Sequence, residues 1–408
     1  MKKLLVKNIG LLATPEGKSA HRGEEQGKIK FLKDAWVLIE DGIIAAVGTG
    51  AVPACEGAEV VDAEGHLVTP GLVDAHTHLI FGGWRQNELG LKLHGASYLD
   101  IQNAGGGIQS TTNATRQASE QELAAKASKA LDEMMGFGTT TVEAKSGYGL
   151  ATEHELKALE VIKDLNDHHR MDLVATFMGA HLVPAEYKSN REEYVRLVCE
   201  EMMPKVKEQG IAKFCDVFCE ADTFTVEESR QVLEAGLKYG LRPKIHADEI
   251  EAIGGSQLAG EIGAISAEHL IVCPPEGIAS MAKGGVIACL LPATSFNLGA
   301  VFAPARDMVK AGVPVAMATD FNPGSCPCLN MQLVINLGCL RYRLTPEQAL
   351  TAVTLNGAAA ICRADRIGSI EPGKQADILI WNAEGLDYIC YRLGSNLVET
   401  VIKKGDVV

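Results

Sequence analysis

The sequence predicts an α/β fold, a closed TIM-like (β/α)8 barrel with a small β-sandwich domain built from both chain ends. Three observations predict it. Eight apolar or β-branched runs end in polar residues, amphipathic helical patterns separate most of them, and the two chain ends alternate short β-rich runs with turn signals. Strand-helix repeats imply right-handed crossovers and a parallel sheet, and eight of them imply a barrel.

Short strands are expected at 3–8, 35–40, 43–47, 59–62 and 66–69. The turn Pro70-Gly71 then opens the first barrel strand, 72–78, which Leu72 and Val73 bury and which ends on His76 and His78. Further barrel strands are expected at 139–145, 173–181, 214–220, 243–246, 264–269, 286–292 and 313–320. Helical periodicity covers 120–135, 152–167, 191–207, 226–239 and 346–360. Near the other end, 376–381 and 397–403 are the clearest strands. The small β-rich domain is therefore assigned 1–69 and 366–408, and the barrel 70–365.

With 408 residues, 47% apolar and 22% charged, the chain is an ordinary globular protein able to bury a full core. No stretch approaches the roughly 20 uninterrupted apolar residues of a membrane helix, and charge interrupts the N-terminal segment too early for a secretory leader. A cytoplasmic location is expected. Eleven cysteines, an odd number scattered from Cys55 to Cys390, fit a reducing compartment and not a disulfide framework. Cys215/Cys219 and Cys326/Cys328 lack the repeats of a zinc ribbon and are read as free thiols. A net charge of -14 without a basic cluster argues against nucleic acid or an anionic membrane as partner. An anionic small substrate would need a local cation of its own.

Catalytic groups of such barrels sit at the C-terminal strand ends. Read in order, those ends carry His76 and His78, Lys145, His181, Glu220, His246, His269 and Asp320. Five of the eleven histidines thus gather at one mouth, while His154, His168 and His169 fall on helices. Residues two apart on a strand share a face, so His76 and His78 aim into one pocket. Neutral imidazoles with a carboxylate suit zinc or iron, and three or four protein ligands with an open position make a catalytic type of site. The expected ligands are His76, His78, His246 and Asp320.

In these residues the chain resembles the amidohydrolase superfamily, whose barrels carry His-x-His on strand one, His on strand five and Asp on strand eight. Longer strings narrow the resemblance to one branch: 81–85 (Phe-Gly-Gly-Trp-Arg), 104–108 (Ala-Gly-Gly-Gly-Ile), 145–148 (Lys-Ser-Gly-Tyr), 179–181 (Gly-Ala-His), 246–249 (His-Ala-Asp-Glu), 267–269 (Ala-Glu-His) and 320–325 (Asp-Phe-Asn-Pro-Gly-Ser). The resemblance covers essentially the whole chain. It implies hydrolysis of the cyclic amide 4-imidazolone-5-propanoate to N-formimidoyl-L-glutamate, in histidine degradation, with one zinc or iron ion. Two-metal members of the superfamily bridge their ions with a carboxylated lysine at the end of strand four. Here that strand ends at Glu220, so one metal is expected, and Lys145 is read as a structural or substrate-shell residue.

The expected chemistry follows from residue types. A bound ion acidifies water and polarises the ring carbonyl. Asp320 and His269 are expected to accept the water's proton, and Glu249, three residues after His246, to protonate the departing ring nitrogen. Arg85, in the loop above strand one, offers a planar fork for the propanoate. Tyr148, His181, Glu249, Asn322, Gly324 and Ser325 are expected to hydrogen-bond the substrate, and Gly105 to Gly107 belong by resemblance to a lid region. The expected partners are a carboxylate-bearing small molecule and a second copy of the chain, since such barrels commonly pair as homodimers. A cytosine- or guanine-type deaminase is the competing reading, because it uses the same histidines and aspartate. Arg85 and Tyr148 discriminate, since a neutral nucleobase has no carboxylate to bind. A catalytically dead barrel serving as a scaffold is opposed by the complete ligand set.

Overall fold

The computed structural model describes residues 2–95 and 106–408. All eight expected barrel strands are present: Leu72–Thr77, Thr139–Lys145, Asp172–Ala180, Phe214–Cys219, Arg242–Ala247, Ser266–His269, Ile287–Leu290 and Val315–Met317. They pair in parallel in chain order, as consecutive right-handed crossovers require. The barrel closes through the residues that matter most for the mouth. Asp320 N–H donates to the His76 carbonyl at 3.1 Å, and His78 N–H donates to the Phe321 carbonyl at 2.9 Å. Beneath them the buried Asp74 carboxylate accepts Thr319 N–H at 3.0 Å and Thr319 Oγ1–H at 2.5 Å. Strand one is thereby clamped to strand eight, and the two predicted ligand sources share one backbone seam.

The helices follow their predicted faces, and three begin with a reciprocal capping box, Ser119/Glu122, Thr225/Glu228 and Thr345/Gln348, which satisfies first-turn N–H groups. Two helices differ from the expectation. The single helix expected at 191–207 is built as Arg191–Leu197, a π-turn Val198–Met202 and Met203–Gln209. Pro204 explains it: its ring crowds the carbonyl of Glu200, four residues earlier, and it has no N–H to donate, so the helix widens just before it. The helix expected at 346–360 breaks at Thr354 into Pro346–Val353 and Leu355–Ala360. The Asn356 amide, which donates to the carbonyls of His21 and Val315 at 2.9 Å each, ties the second piece to its surroundings.

Strands from both chain ends join one mixed sheet. Lys3–Thr14, Lys30–Glu40, Ile43–Thr49, Glu59–Asp62 and Leu67–Pro70 come from one end, and Ile378–Trp381, Val398–Lys403 and Asp406–Val407 from the other. Ile378–Trp381 pairs antiparallel with Leu67–Pro70 and stitches the ends together. The first strand runs six residues past its expected end because Asn8, at φ 52°, absorbs a bulge between Val6 and Ile9. Gly10 lies where a side chain would strike the Gly65 carbonyl. Leu4, Val6, Val37, Ile39, Ile378 and Ile402 share an apolar core to which no helix contributes among the described residues, so the sheet covers its own face. The eleven cysteines are all free thiols.

The barrel and this sheet meet at a buried cation. Lys403 Nζ donates to Asp172 Oδ2 at 2.7 Å and to Asp377 Oδ2 at 2.8 Å, and Lys403 and Asp377 are 3% and 4% exposed. Burial alone would raise the Asp172 carboxyl, but Lys403 outweighs it and holds the pKa near about 2. Its contribution is present above the usual carboxylate pKa and is lost as pH falls toward 2. Lys403→Met leaves the buried Asp377 without its cation, while Asp172 keeps Lys404, and is expected to cost about 3 kcal/mol, read as a lower denaturation midpoint at neutral pH.

Candidate active site

The histidines expected at the barrel mouth are all there and all buried: His76, His78, His181, His246 and His269 are at most 6% exposed. Rings of His76 and His246 lie 4.6 Å apart between centroids, and those of His78 and His246, and of His246 and His269, 5.3 and 5.2 Å apart. Asp320 completes the cluster. Its Oδ2 accepts Thr294 Oγ1–H at 2.6 Å, which leaves Oδ1 facing His76 Nε2 at 3.5 Å and His78 Nε2 at 3.6 Å. The residue stands at φ 58°, a backbone conformation unfavourable for a side chain, and His269 at φ 67° does the same. Such strain persists where the surroundings over-determine it, as at functional sites.

Whether these residues fit a metal can be judged from their unpaired atoms. His76 Nε2, His78 Nδ1 and His269 Nδ1 are buried with no hydrogen-bond partner among the described residues. His78 Nε2 and His246 Nε2 face each other at 3.3 Å. Ligand atoms about 2.0–2.1 Å from a tetrahedral ion lie roughly 3.3–3.4 Å from one another. The separations of 3.3, 3.5 and 3.6 Å among His78, His246, His76 and Asp320 therefore suit one small cation. Burial holds the His76, His78 and His269 imidazoles well below their ordinary pKa, with neighbouring positive charge adding to it, and neutral imidazole is the form that ligates. Two ligands are also oriented from behind: His76 Nδ1 lies 2.7 Å from Glu268 Oε2 and His246 Nδ1 lies 3.1 Å from Asp216 Oδ1. A carboxylate partner puts the proton on Nδ1 and turns the Nε2 lone pair inward. His269 reaches the same cluster, within ligand distance of His76 and His246.

Glu249 stands beside that cluster, with Oε2 3.5 Å from His269 Nε2 and a side chain 14% exposed. Burial, then the charges of Asp320 and Glu220, push its carboxyl up to about 8, and burial likewise lifts Asp320 to about 6. Glu220 receives a job that strand-end reading leaves blank. Its carboxylate accepts the N–H groups of Ile250 at 2.9 Å and Glu251 at 3.0 Å, and so shapes the turn that presents Glu249.

Around the metal-binding cluster, His181 stacks on His78 at 4.8 Å and 18°, and Tyr148 lies 5.1 Å from His181 and 5.8 Å from His78. The Gly147 carbonyl accepts from His181 Nδ1 at 3.0 Å, so Nε2 is the acceptor nitrogen of this imidazole, whose pKa burial lowers to about 3. Arg85 lies against Gly324, where a β-carbon would meet its guanidinium. Its Nε and Nη2 both bond Glu88, at 2.8 Å each, and Glu88 also accepts Gly107 N–H at 2.7 Å. Glu88, missed in the sequence, thus fixes the fork and turns its Nη1 side toward the 322–325 loop.

Three expectations need correction or limit. Asn322 is not a free ligand-binding amide: its Oδ1 accepts the N–H groups of Gly324 and Ser325 at 2.9 and 2.8 Å, and its Nδ2 donates to the Asp320 carbonyl at 2.7 Å. It is an Asx-type organiser of the loop, and Ser325 Oγ is bonded to it as well, at 2.9 Å. Lys145 is fully buried among carboxylates, so it is structural and not in a substrate shell. Ala104 and Gly105 of the expected lid string lie outside the described residues, while Gly107 begins the helix Gly107–Gln117.

The family model described as the amidohydrolase family matches residues 67–408. Among curated proteins, the chain is 52% identical to an imidazolonepropionase of Alkaliphilus metalliredigens over all of this chain and 98% of the relative. It is 50% identical to an imidazolonepropionase of Geobacillus kaustophilus, again over all of this chain and 98% of the relative. Among solved structures, atrazine chlorohydrolase from Arthrobacter aurescens TC1, complexed with zinc, superposes with a TM-score of 0.74 at 19% identity, covering 99% of this chain and 94% of that one. That last likeness shows the fold.

Proposed function

The chain belongs to the amidohydrolase family, among its imidazolonepropionases, and on that premise we propose that the barrel mouth opens the ring of 4-imidazolone-5-propanoate with one bound zinc or iron ion. The observation that carries the metal reading is the buried set of His76, His78 and His246 Nε2 atoms with Asp320 Oδ1, spaced at 3.3 to 3.6 Å as ligands of one cation would be. His76, His78, His246 and Asp320 would hold the ion, with His269 beside it. Nitrogen and carboxylate donors suit zinc and iron alike. When bound, the metal supplies a more acidic water and a polarised ring carbonyl.

The rest falls to the chain's own groups. Water adds to the ring carbonyl carbon, the C–N bond of the cyclic amide breaks, and the water oxygen stays in the new carboxylate. The Asp320 carboxylate and the neutral His269 take the water's proton. Glu249, whose burial keeps a proton on it near neutral pH, returns one to the departing nitrogen to leave the formimidoyl group. His181 Nε2 accepts an N–H of the imidazolone ring, and the Tyr148 hydroxyl bonds the same ligand. Arg85 faces the propanoate, and Asn322 holds the Gly324–Ser325 loop against which the guanidinium lies. A cytoplasmic homodimer is part of this proposal, the compartment resting on the eleven free thiols.

The propanoate separates this reading from a deaminase. Arg85→Ala is expected to raise KM for the imidazolone by about 10- to 100-fold, as loss of a charge-assisted pair worth roughly 1.5–3 kcal/mol requires, with a smaller change in kcat. Steady-state kinetics check it, and an unchanged KM would remove Arg85 from the carboxylate site.

A further inference from the structure

Beneath the candidate metal ligands the barrel interior carries a layer of charge that the reaction does not use. Lys145 and Lys244 project into it from strands two and five, and Glu143, Asp216 and Glu268 from strands two, four and six, all at most 1% exposed. Two of the carboxylates divide their oxygens in the same way. Asp216 gives Oδ2 to Lys145 Nζ at 2.8 Å and Oδ1 to His246 Nδ1 at 3.1 Å. Glu268 gives Oε1 to Ser266 Oγ at 2.5 Å and to Lys244 Nζ at 3.3 Å, and Oε2 to His76 Nδ1 at 2.7 Å. Lys145 is anchored on its far side by Glu143 Oε1 at 2.7 Å and Lys244 by the Ala360 carbonyl at 3.2 Å, while the 2.7 Å bond from Lys244 to Ser266 Oγ leads back to the same Glu268 oxygen. His78 has no such support; its Nδ1 lacks a partner among the described residues and its ring leans on His181.

Stability is a poor explanation for this layer. Buried ion pairs cost about as much to desolvate as they return, and apolar residues of similar volume often replace them without loss. The geometry supplies a reason. A carboxylate orients an imidazole only if its free oxygen is aimed at Nδ1, and a buried carboxylate with nothing on its other oxygen is free to turn about its terminal bond.

We propose that Lys145 and Lys244 are positioning residues of the metal centre, Lys145 gripping Asp216 directly so that its other oxygen aligns His246, and Lys244 holding the Ser266 hydroxyl on Glu268 and pairing with the same oxygen so that the other aligns His76. The proposal rests on the reading of His76 and His246 as ligands. Asp216 fits it further: burial would raise its carboxyl, yet Lys145 and His246 hold it below the usual range.

The test is the zinc dissociation constant of the full-length protein, stripped and titrated against a chromophoric chelator, with folding followed by circular dichroism. Lys145→Met and Lys244→Met are each expected to weaken zinc by about 10- to 100-fold, the usual cost of losing an outer partner of a metal ligand, while the metal-free proteins keep the parent spectrum. Lys403→Met is the structural control, destabilised but with the parent's zinc constant. Should the methionine variants not fold, Lys145→Arg and Lys244→Arg keep the charge but shift the donor, and the same weakening is expected. Folded variants that bind zinc like the parent overturn the proposal. A parent that binds neither zinc nor iron overturns the ligand reading itself, and this proposal with it.

Discussion

His76→Ala is expected to yield a folded protein that retains no stoichiometric metal and has lost ring-opening activity by at least about 10³-fold, since several kcal/mol of transition-state stabilisation go with the ion. The side chain contributes Nε2 to the cluster and lies within 3.5 Å of Asp320. Its loss also leaves Glu268 without the imidazole that its Oε2 contacts at 2.7 Å, so some destabilisation accompanies the loss of metal. Elemental analysis of the purified variant beside its steady-state rate checks the expectation. Retained metal together with retained turnover would refute the ligand assignment of His76.

Glu249→Gln should be the second largest effect, a fall in kcat of about 10²- to 10⁴-fold, the usual contribution of a positioned acid, with metal content and KM close to the parent's. Glutamine keeps the size of the side chain and removes the dissociable proton. The buried carboxyl, lifted to about 8 by its surroundings, is the only proton source argued for the leaving nitrogen. A kcat within a factor of about three of the parent would mean that another group protonates it.

The barrel was legible because its strands are bounded by chemistry. Each apolar run stops at a polar residue, and in a (β/α)8 barrel those stops are the active-site rim. His76, His78, His181, His246, His269 and Asp320 could therefore be gathered without any contact being known. The residues that escaped lie inside strands or a few positions beyond them. Asp216 in Phe-Cys-Asp-Val-Phe-Cys and Lys244 two before His246 are charges within otherwise apolar strands, a signal that reading only the strand ends discards. Glu88, three residues after Arg85, carries the spacing of a helical ion pair, but nothing in the sequence says that it would claim two donors of the guanidinium. Asn322 was misread for a physical reason: asparagine before Pro-Gly organises a turn more readily than it binds a ligand. Pro204 carried a visible warning of the break in its helix, which the length of the apolar periodicity overrode.

The central claim is that this mouth adds water across the cyclic amide of 4-imidazolone-5-propanoate. Incubating the metal-loaded protein with that compound in ¹⁸O-water, and following the product by mass spectrometry, tests it directly. The expected result is N-formimidoyl-L-glutamate carrying one solvent oxygen in its new carboxylate, formed as the ring absorbance disappears. No consumption of the imidazolone, with ammonia released from cytosine or guanine instead, would contradict the account.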